Sequence, residues 1–414
     1  MGVAGDLAQG EDQAAARVAR LLRQVSRALR ELFPRHGHDQ DIALPVHRRL
    51  LFGSSAGSLT GRFATAGTLG RGSDTASPAV PPAHSVTGHC YEWRMTQQQH
   101  LTELLGLPVV DFADVSAKGD LPAADSVAWR VGVDPYDDEG GEDFEERWRR
   151  FLGTVDPAGV RAVVIGQWGE PYDNDSGEVV SLLVGARDRL TGLRAVFLAD
   201  LEMEEAEISW IEQSDVTPVL EAYPALEEFG VRGGSGLRFP AVRHEALRRL
   251  WFETGGLPGE VVRGVGACTL PALEYLEMWL GVSDYGGDAG VADLAPLLEG
   301  GRFPRLRHLG LQDSEIQDEI AAAVASAPVV AQLRSLSLSM GVLTDAGAEA
   351  LLTGQPLTHL AELDLHHHYL SEPMMQRLRE ALEPAGVRVD LSECEEPESD
   401  GDDGTVWRYV AVSE

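Results

Sequence analysis

The residues best suited to chemistry are three consecutive histidines near the end of the chain, preceded by two carboxylates. Glu362, Asp364 and His366 alternate with leucines, so in a strand they share one face. Imidazole and carboxylate groups are common metal ligands. His367 points away from this face, and His368 falls at a loop position where it should bond backbone. We expect a structural or partner-contact role, with a metal-dependent or enzymatic factor as the alternative.

A second set of residues combines aromatic and acidic side chains at alternate positions of short apolar segments. The leucines between them should point inward, which leaves these side chains outside. Exposed aromatic residues next to carboxylates are typical of binding hot spots. A slipped register in the less regular segments is the alternative. The residues predicted to bind a partner are Phe197, Glu228, Trp251, Glu253, Tyr275, Glu277, Trp279, Asp364 and His366.

Motifs of the common enzyme classes are missing from the sequence. It has no G-x-S-x-G, no H-E-x-x-H and no P-loop. Lys118 is the only lysine, which excludes most lysine-dependent mechanisms. We therefore predict no catalytic residues, no metal ligands and no cofactor, and a protein that is not an enzyme.

The elements that would position these residues belong to a repeat. The segments LRHLGL, LRSLSL and LAELDL begin at Leu306, Leu333 and Leu360, at intervals of 27 residues. This spacing is typical of leucine-rich repeats, in which each unit is a strand followed by a helix. Thr344 and Ser371 lie at equivalent positions before the helix half, where they suit N-caps.

Weaker copies extend the pattern in both directions. They begin at Leu193, Leu226, Leu247 and Leu273, with further valine-rich strands near residues 160–165 and 387–389. Template matching gives about eight or nine parallel strands. The predicted fold class is α/β, a leucine-rich-repeat solenoid with a curved parallel sheet on the concave face and helices on the convex face.

These repeats resemble the ribonuclease-inhibitor-like class, most closely in LTDAGAEALL at residues 343–352. Together with HLTELLGLPVVDF at residues 100–112 and RYVAVSE at the C-terminus, they make the chain similar to a bacterial family of leucine-rich-repeat proteins of unassigned biochemical role. Some members of that family are encoded beside radical-SAM-type proteins. The resemblance implies binding rather than catalysis. The usual loop asparagine is replaced by Ser314, Gly341 and His368, so these turns must satisfy their backbone groups differently.

Composition limits the partners. A net charge of −32 and a pI near 4.6 argue against nucleic acid and against anionic membranes, and no apolar run is long enough for a transmembrane helix. Three distant cysteines read as free thiols of a reducing cytoplasm. We predict a cytoplasmic protein-interaction scaffold whose partner is another protein with a basic surface.

Four regions follow along the chain. Residues 1–94 are basic and rich in small residues after one amphipathic helix at 11–33; they read as a disordered or mis-assigned extension, with translation from Met95, or as a basic regulatory arm. Residues 95–159 form an N-terminal cap, and 160–392 form the solenoid. Residues 393–414 hold an acidic linker and a strand-like segment, expected to cover the edge of the last repeat. Display of this C-terminal peptide to a partner is the alternative.

Overall fold

The computed structural model describes residues 99–119, 121–133, 141–399 and 406–413. The sequence predictions for residues 1–94, including the helix at 11–33, lie outside the described residues. Most of the acidic run DPYDDEGGED at residues 134–143 also lies outside them.

Twelve strands form one open sheet whose order follows the sequence. β1 is antiparallel to β2, and every later neighbour is parallel. This confirms the α/β class with a long, mostly parallel sheet, which fits a solenoid. The strands are β1 Glu103–Leu104, β2 Leu107–Asp111, β3 Ala128–Val131, β4 Ala162–Ile165, β5 Ala195–Leu198, β6 Glu228–Arg232, β7 Arg249–Glu253, β8 Tyr275–Gly281, β9 His308–Ser314, β10 Ser335–Ser337, β11 Glu362–Asp364 and β12 Arg388–Asp390.

The parallel part of the sheet is longer than the repeat pattern predicts. It runs from β2 to β12, because β2 and β3, in the segment assigned to the N-terminal cap, continue the same ladder. β3 contains no leucine and carries Trp129 at its inward position, so the leucine template does not assign it to the repeat.

The described part of the chain has nine α-helices, one in each connection from β2 to β12 except that between β6 and β7. Several begin at side-chain caps: Asp143 accepts a hydrogen bond from the Glu146 backbone N–H (2.8 Å), and Thr344 and Ser371 cap their helices as the sequence predicts. The helices are α1 Phe112–Lys118, α2 Phe144–Thr154, α3 Gly177–Gly185, α4 Thr217–Ala222, α5 Gly259–Ala267, α6 Val291–Leu298, α7 Gln317–Val324, α8 Asp345–Thr353 and α9 Glu372–Leu382.

The main hydrophobic core joins one face of the sheet to the helices. Leu309, Leu336 and Leu363 pair directly across β9, β10 and β11 and are fully buried. They pack in one cluster with helix residues such as Ile320 and Leu378. We call this the helix-side face, and the other, which carries Phe197, Trp251 and Glu277 in register, the opposite face.

The loops after the strands replace the missing asparagine in two ways. Gln317 donates a hydrogen bond from Nε2 to the Leu311 carbonyl (2.9 Å), and its side chain is fully buried. His368 is also fully buried; its Nδ1 accepts from the Leu370 backbone N–H, and its Nε2 lies 3.3 Å from the Leu391 carbonyl oxygen. The backbone-bonding role predicted for His368 is therefore confirmed.

The C-terminal segment does not cover the last strand, so that prediction is wrong. β14 (Val406–Trp407) pairs with β13 (Glu398–Ser399) in a separate hairpin, and no strand in the described residues pairs with the outer edge of β12. Residues 409–413 instead lie across the ends of β7 to β11. A segment with mixed aliphatic and aromatic residues suits either place, and the sequence pattern does not distinguish them.

None of the helices among the described residues is both long and apolar enough to cross a bilayer. Within the same residues, Cys268 and Cys394 are free thiols.

Candidate functional site

All nine predicted binding residues lie on the opposite face, in three rows across the strands. Strand register places Phe197, Trp251, Glu277 and Asp364 in the middle row. Glu228 and Tyr275 lie in the row on the amino-terminal side. The row on the carboxyl-terminal side holds Glu253, Trp279 and His366, which lie two residues after Trp251, Glu277 and Asp364 of the middle row.

The sequence predicts that the four aromatic residues of this face are exposed, but three of them are buried in the structure. Phe197, Trp251 and Trp279 retain only 0%, 9% and 3% of their accessible surface. Leu104 packs with Phe197 and Trp251 in a small cluster on this face, and Trp279 packs against Val412 of the C-terminal segment. Alternation in a strand fixes which face a side chain occupies, whereas cover by distant segments leaves no trace in that pattern.

A glycine makes room for the largest of these contacts. Phe197 and Trp251 stack across β6 with ring centroids 5.6 Å apart. A Cβ on Gly230, which lies between them, would approach Trp251 Cε2 to 2.3 Å and Phe197 Cδ2 to 2.5 Å. The stack therefore requires glycine at this position, and the two aromatic rings serve packing.

Two of the predicted acidic residues, Glu228 and Glu253, hold residues 99–105 on the sheet, a stretch that we call the N-terminal segment. Glu228 accepts a hydrogen bond from the Leu105 backbone N–H (3.2 Å), and burial raises its pKa. Glu253 accepts from Arg232 Nε (2.8 Å), and Arg232 also donates to the carbonyl oxygens of Gln99 and Leu201. These carboxylates are engaged within the chain.

Arg232 belongs to a buried charge cluster that the sequence analysis missed. Asp200, fully buried, lies 3.7 Å from both Arg232 and Arg130 and accepts from the Leu101 backbone N–H. Burial raises the pKa of Asp200 to about 6 despite the two arginines, and burial and the same arginines lower the pKa of His100 to about 4. Asp200 pairs with Arg130 of β3 and Arg232 of β6 and accepts from the Leu101 N–H, so the cluster links the N-terminal segment to the sheet.

Toward β9, the opposite face becomes polar and half-buried. Tyr275 and His308 stack with centroids 4.1 Å apart, and the Tyr275 hydroxyl donates a hydrogen bond to Glu277. Glu277 also accepts from Trp279 Nε1 (3.3 Å) and lies 3.4 Å from His308 Nε2. Burial alone would raise the pKa of Glu277, but the hydrogen bonds and charge of His308, with Tyr275 and Trp279, hold it below its ordinary value.

A second polar network continues through β10 and β11. Ser337 Oγ donates to Asp364 (2.7 Å) and accepts from Gln312 Nε2 (2.6 Å). The other oxygen of Asp364 lies 2.8 Å from His366 Nδ1. Burial opposes ionisation of this pair, yet their mutual hydrogen bond and charge lower the pKa of Asp364 and raise that of His366.

The three residues of the metal alternative do not converge. Glu362 forms an ion pair with Arg388 at the row nearest the strand starts, whereas His366 lies at the opposite end of β11 with Asp364 between them. Within the described ranges, no group of three or more His, Cys, Asp or Glu residues is placed to hold a metal ion.

His308 and Ser337 are two residues of this site that the sequence analysis did not select. Both occupy the outward register of the repeat: His308 is 27 residues before Ser335, and Ser337 is 27 before Asp364. The 27-residue period alone is therefore enough to identify these two residues from the sequence. Arg249, whose guanidinium lies 4.3 Å from the Tyr275 ring centroid, follows the same register.

Comparison with known proteins supports the fold. A crystal structure of a protein from Bacteroides fragilis superposes with a TM-score of 0.61 and 29% sequence identity, over 69% of this chain and 81% of that one. No protein-family model and no curated protein matches the chain.

Proposed function

We propose that this chain is a cytoplasmic leucine-rich-repeat scaffold that binds a partner protein through the opposite face of its sheet, without catalysis or cofactor. In this proposal the sheet curves so that the opposite face is concave and the helices lie outside. The 27-residue interval between paired strand positions supports the repeat assignment.

The observation that carries the proposal is the half-buried polar surface over β8 to β12. Tyr275 and Asp364 retain partial exposure among buried hydrogen-bonded groups, and Glu362 and Arg388 stand at its rim with 34% and 48% of their side chains exposed. Buried polar networks on a sheet face cost desolvation that apolar packing would avoid. Protein interfaces are enriched in tyrosine and have a polar, solvent-accessible rim, and Tyr275 and the Glu362–Arg388 pair provide both features here.

The charges of this surface favour a basic partner. Glu362, Asp364 and Asp390 follow one another across β11 and β12, with Arg388 the neighbouring cation. The whole chain carries a net charge of −32. Long-range attraction would therefore raise the association rate of a positively charged protein and weaken at high salt.

Charge reversal tests the proposal. The double variant Glu362→Arg/Asp390→Arg should lose a partner that the unmodified chain captures from its own lysate, because the rim then repels a basic surface. The matched control is Glu319→Arg/Glu380→Arg, which reverses two exposed acidic residues on α7 and α9. Capture should weaken by about tenfold or more only in the rim variant, measured by quantitative mass spectrometry at low and high salt.

The outcomes separate the alternatives. Equal loss in both double variants would reduce the effect to net charge and contradict the assigned surface. Stoichiometric metal in the purified chain, lost in His366→Ala, would favour the metal-dependent factor. Capture that survives both reversals and disappears when residues 406–414 are deleted would favour display of the C-terminal peptide.

A further inference from the structure

Residues 409–413 lie across the ends of β7 to β11, with a bend at Ala411. The Tyr369 hydroxyl accepts from the Tyr409 backbone N–H and donates to the Tyr409 carbonyl, both at 2.9 Å. The Ala411 N–H donates to the Met340 carbonyl (2.7 Å), and the Val412 N–H donates to Asp313 Oδ1 (2.9 Å). Recognition is thus mainly through the main chain of the segment, which we call the tail.

Three equivalent residues of consecutive repeats form this contact line. Asp313, Met340 and His367 each follow a paired strand position by the same number of residues, and all three have a left-handed backbone, with φ of 55°, 67° and 53°. Each contacts the tail: His367 Nε2 lies 3.1 Å from the Tyr409 carbonyl oxygen. Non-glycine residues adopt this conformation at an energetic cost and concentrate at functional positions.

Alternate side chains of the tail enter the protein. Val410 and Val412 retain 7% and 1% of their accessible surface, whereas Tyr409 retains 56%. Val412 packs in a cluster with Ile208, Trp279 and Met340. This surface therefore fits a peptide that has aliphatic residues at alternate positions and is held mainly by its main chain.

Two further features shape the surface around the tail backbone. A Cβ on Gly255 would approach the Ser413 carbonyl oxygen to 2.3 Å, while its next contact outside the tail, Ile208 Cγ2, is at an ordinary 3.4 Å. Asp313 is fully buried, and its Oδ2 has no hydrogen-bond partner among the described residues. The other oxygen, Oδ1, accepts from the Val412 N–H, so the hydrogen bond that this buried carboxylate receives comes from the tail.

We propose that this surface is a peptide-binding site for a segment with alternate aliphatic residues, and that the tail is its resident, exchangeable ligand. A free peptide with the tail's pattern binds there when the tail leaves. The site adjoins the polar surface over β8 to β12 at Trp279, but its contacts with the tail do not depend on a partner at that surface, so failure of one proposal leaves the other standing.

The experiment uses the full chain with a protease recognition sequence inserted after Gly404. After cleavage, a fluorescein-labelled peptide of residues 406–414 is added, and exchange with the severed tail is followed by anisotropy. A Val412→Asp peptide should compete at least about tenfold more weakly, because it loses a buried valine. A Val406→Asp peptide, altered at a residue with 47% exposure, should compete like the unmodified one.

A variant of the site itself completes the test. Gly255→Ala in the cleaved protein should abolish peptide binding, since the added methyl group occupies the place of the Ser413 carbonyl. The protein should still show the circular dichroism of the unmodified chain, because the other contacts of that methyl group are ordinary. Saturable exchange that is sensitive to Val412→Asp and Gly255→Ala supports the proposal. A tail that leaves only when the whole protein unfolds, or a labelled peptide indifferent to both changes, overturns it.

Discussion

The pair of His366 and Asp364 shows how one residue of the repeat sets the electrostatics of the polar surface. Burial disfavours the charged form of both residues, yet each stabilises the charge of the other across 2.8 Å. Ser337 and Gln312 extend the network to β9. Each side chain of this network hydrogen-bonds the next one. Removing any one of them therefore leaves a buried polar group without its partner.

The free energy of unfolding should report this pair through its pH dependence. The pKa of His366 is raised in the folded state, so its contribution is complete below the unfolded value of about 6.5 and is lost as pH rises through the folded pKa. We expect His366→Gln to cost about 1–2 kcal/mol at acidic to neutral pH and less at alkaline pH.

Urea titrations monitored by circular dichroism across that pH range measure the difference. His359→Gln is the control, because His359 bonds a backbone carbonyl of Val330 rather than a carboxylate. A difference between His366→Gln and the unmodified chain that grows toward alkaline pH would contradict the assignment.

At the scale of elements, the turns between strands and helices are packed more tightly than their sequence suggests. Gly281 closes β8 with a φ of 67°, and a Cβ there would lie 2.0 Å from the Gly255 carbonyl oxygen. Gly286, in the following turn, has a φ of 90° and open space around its Cβ position. The two glycines share a left-handed backbone and differ in packing.

This pair separates backbone strain from steric overlap. Gly286→Ala should cost about 1 kcal/mol, the strain of a left-handed alanine. Gly281→Ala should cost about 3 kcal/mol or more, because overpacking against Gly255 in the loop after β7 adds to the same strain. Thermal and urea unfolding of both variants measure the difference, and equal costs would show that the turn relaxes around the added methyl group.

The strands and helices of the regular repeats follow from the sequence, whereas the cover of the opposite face does not. Leucine spacing predicts β9, β10 and β11 because it records contacts between neighbouring units, such as Ser337 with Asp364 at 27 residues. The contacts that bury Trp251 and Trp279 come from segments far away in sequence: Leu105 bonds Glu228 across 123 residues, and Val412 bonds Asp313 across 99. No period encodes such pairings, so the aromatic residues were expected outside.

At the scale of the whole molecule, the sheet is an array in which each strand pairs only with its sequence neighbours. Stability of such an array is approximately a sum of unit and nearest-neighbour terms. The two terminal segments add contacts between parts of the chain that are distant in sequence. Gln99 bonds a residue of β6, and Val412 bonds a residue of β9. They make the central strands dependent on both ends of the described chain.

Leu363→Ala tests this arrangement. Leu363 is fully buried in β11, so the substitution should cost about 2–5 kcal/mol. If coupling is nearest-neighbour, hydrogen exchange followed by mass spectrometry should accelerate in β10 to β12 while β4 to β6 keep their protection. Leu250→Ala in β7 is the matched control and should accelerate the centre instead. Uniform acceleration in both variants would show that the sheet unfolds as one cooperative unit.

The tail also bears on the order of folding. Pairing of neighbouring strands closes short loops, whereas the hydrogen bond from Val412 to Asp313 closes a loop of 99 residues, and closure entropy grows with loop length. The surface that receives the tail requires β9, β10 and β11 to be already paired, since equivalent residues of all three build it. Docking of the tail is therefore a late kinetic event, and mutations confined to it should change the rate of unfolding more than the rate of folding.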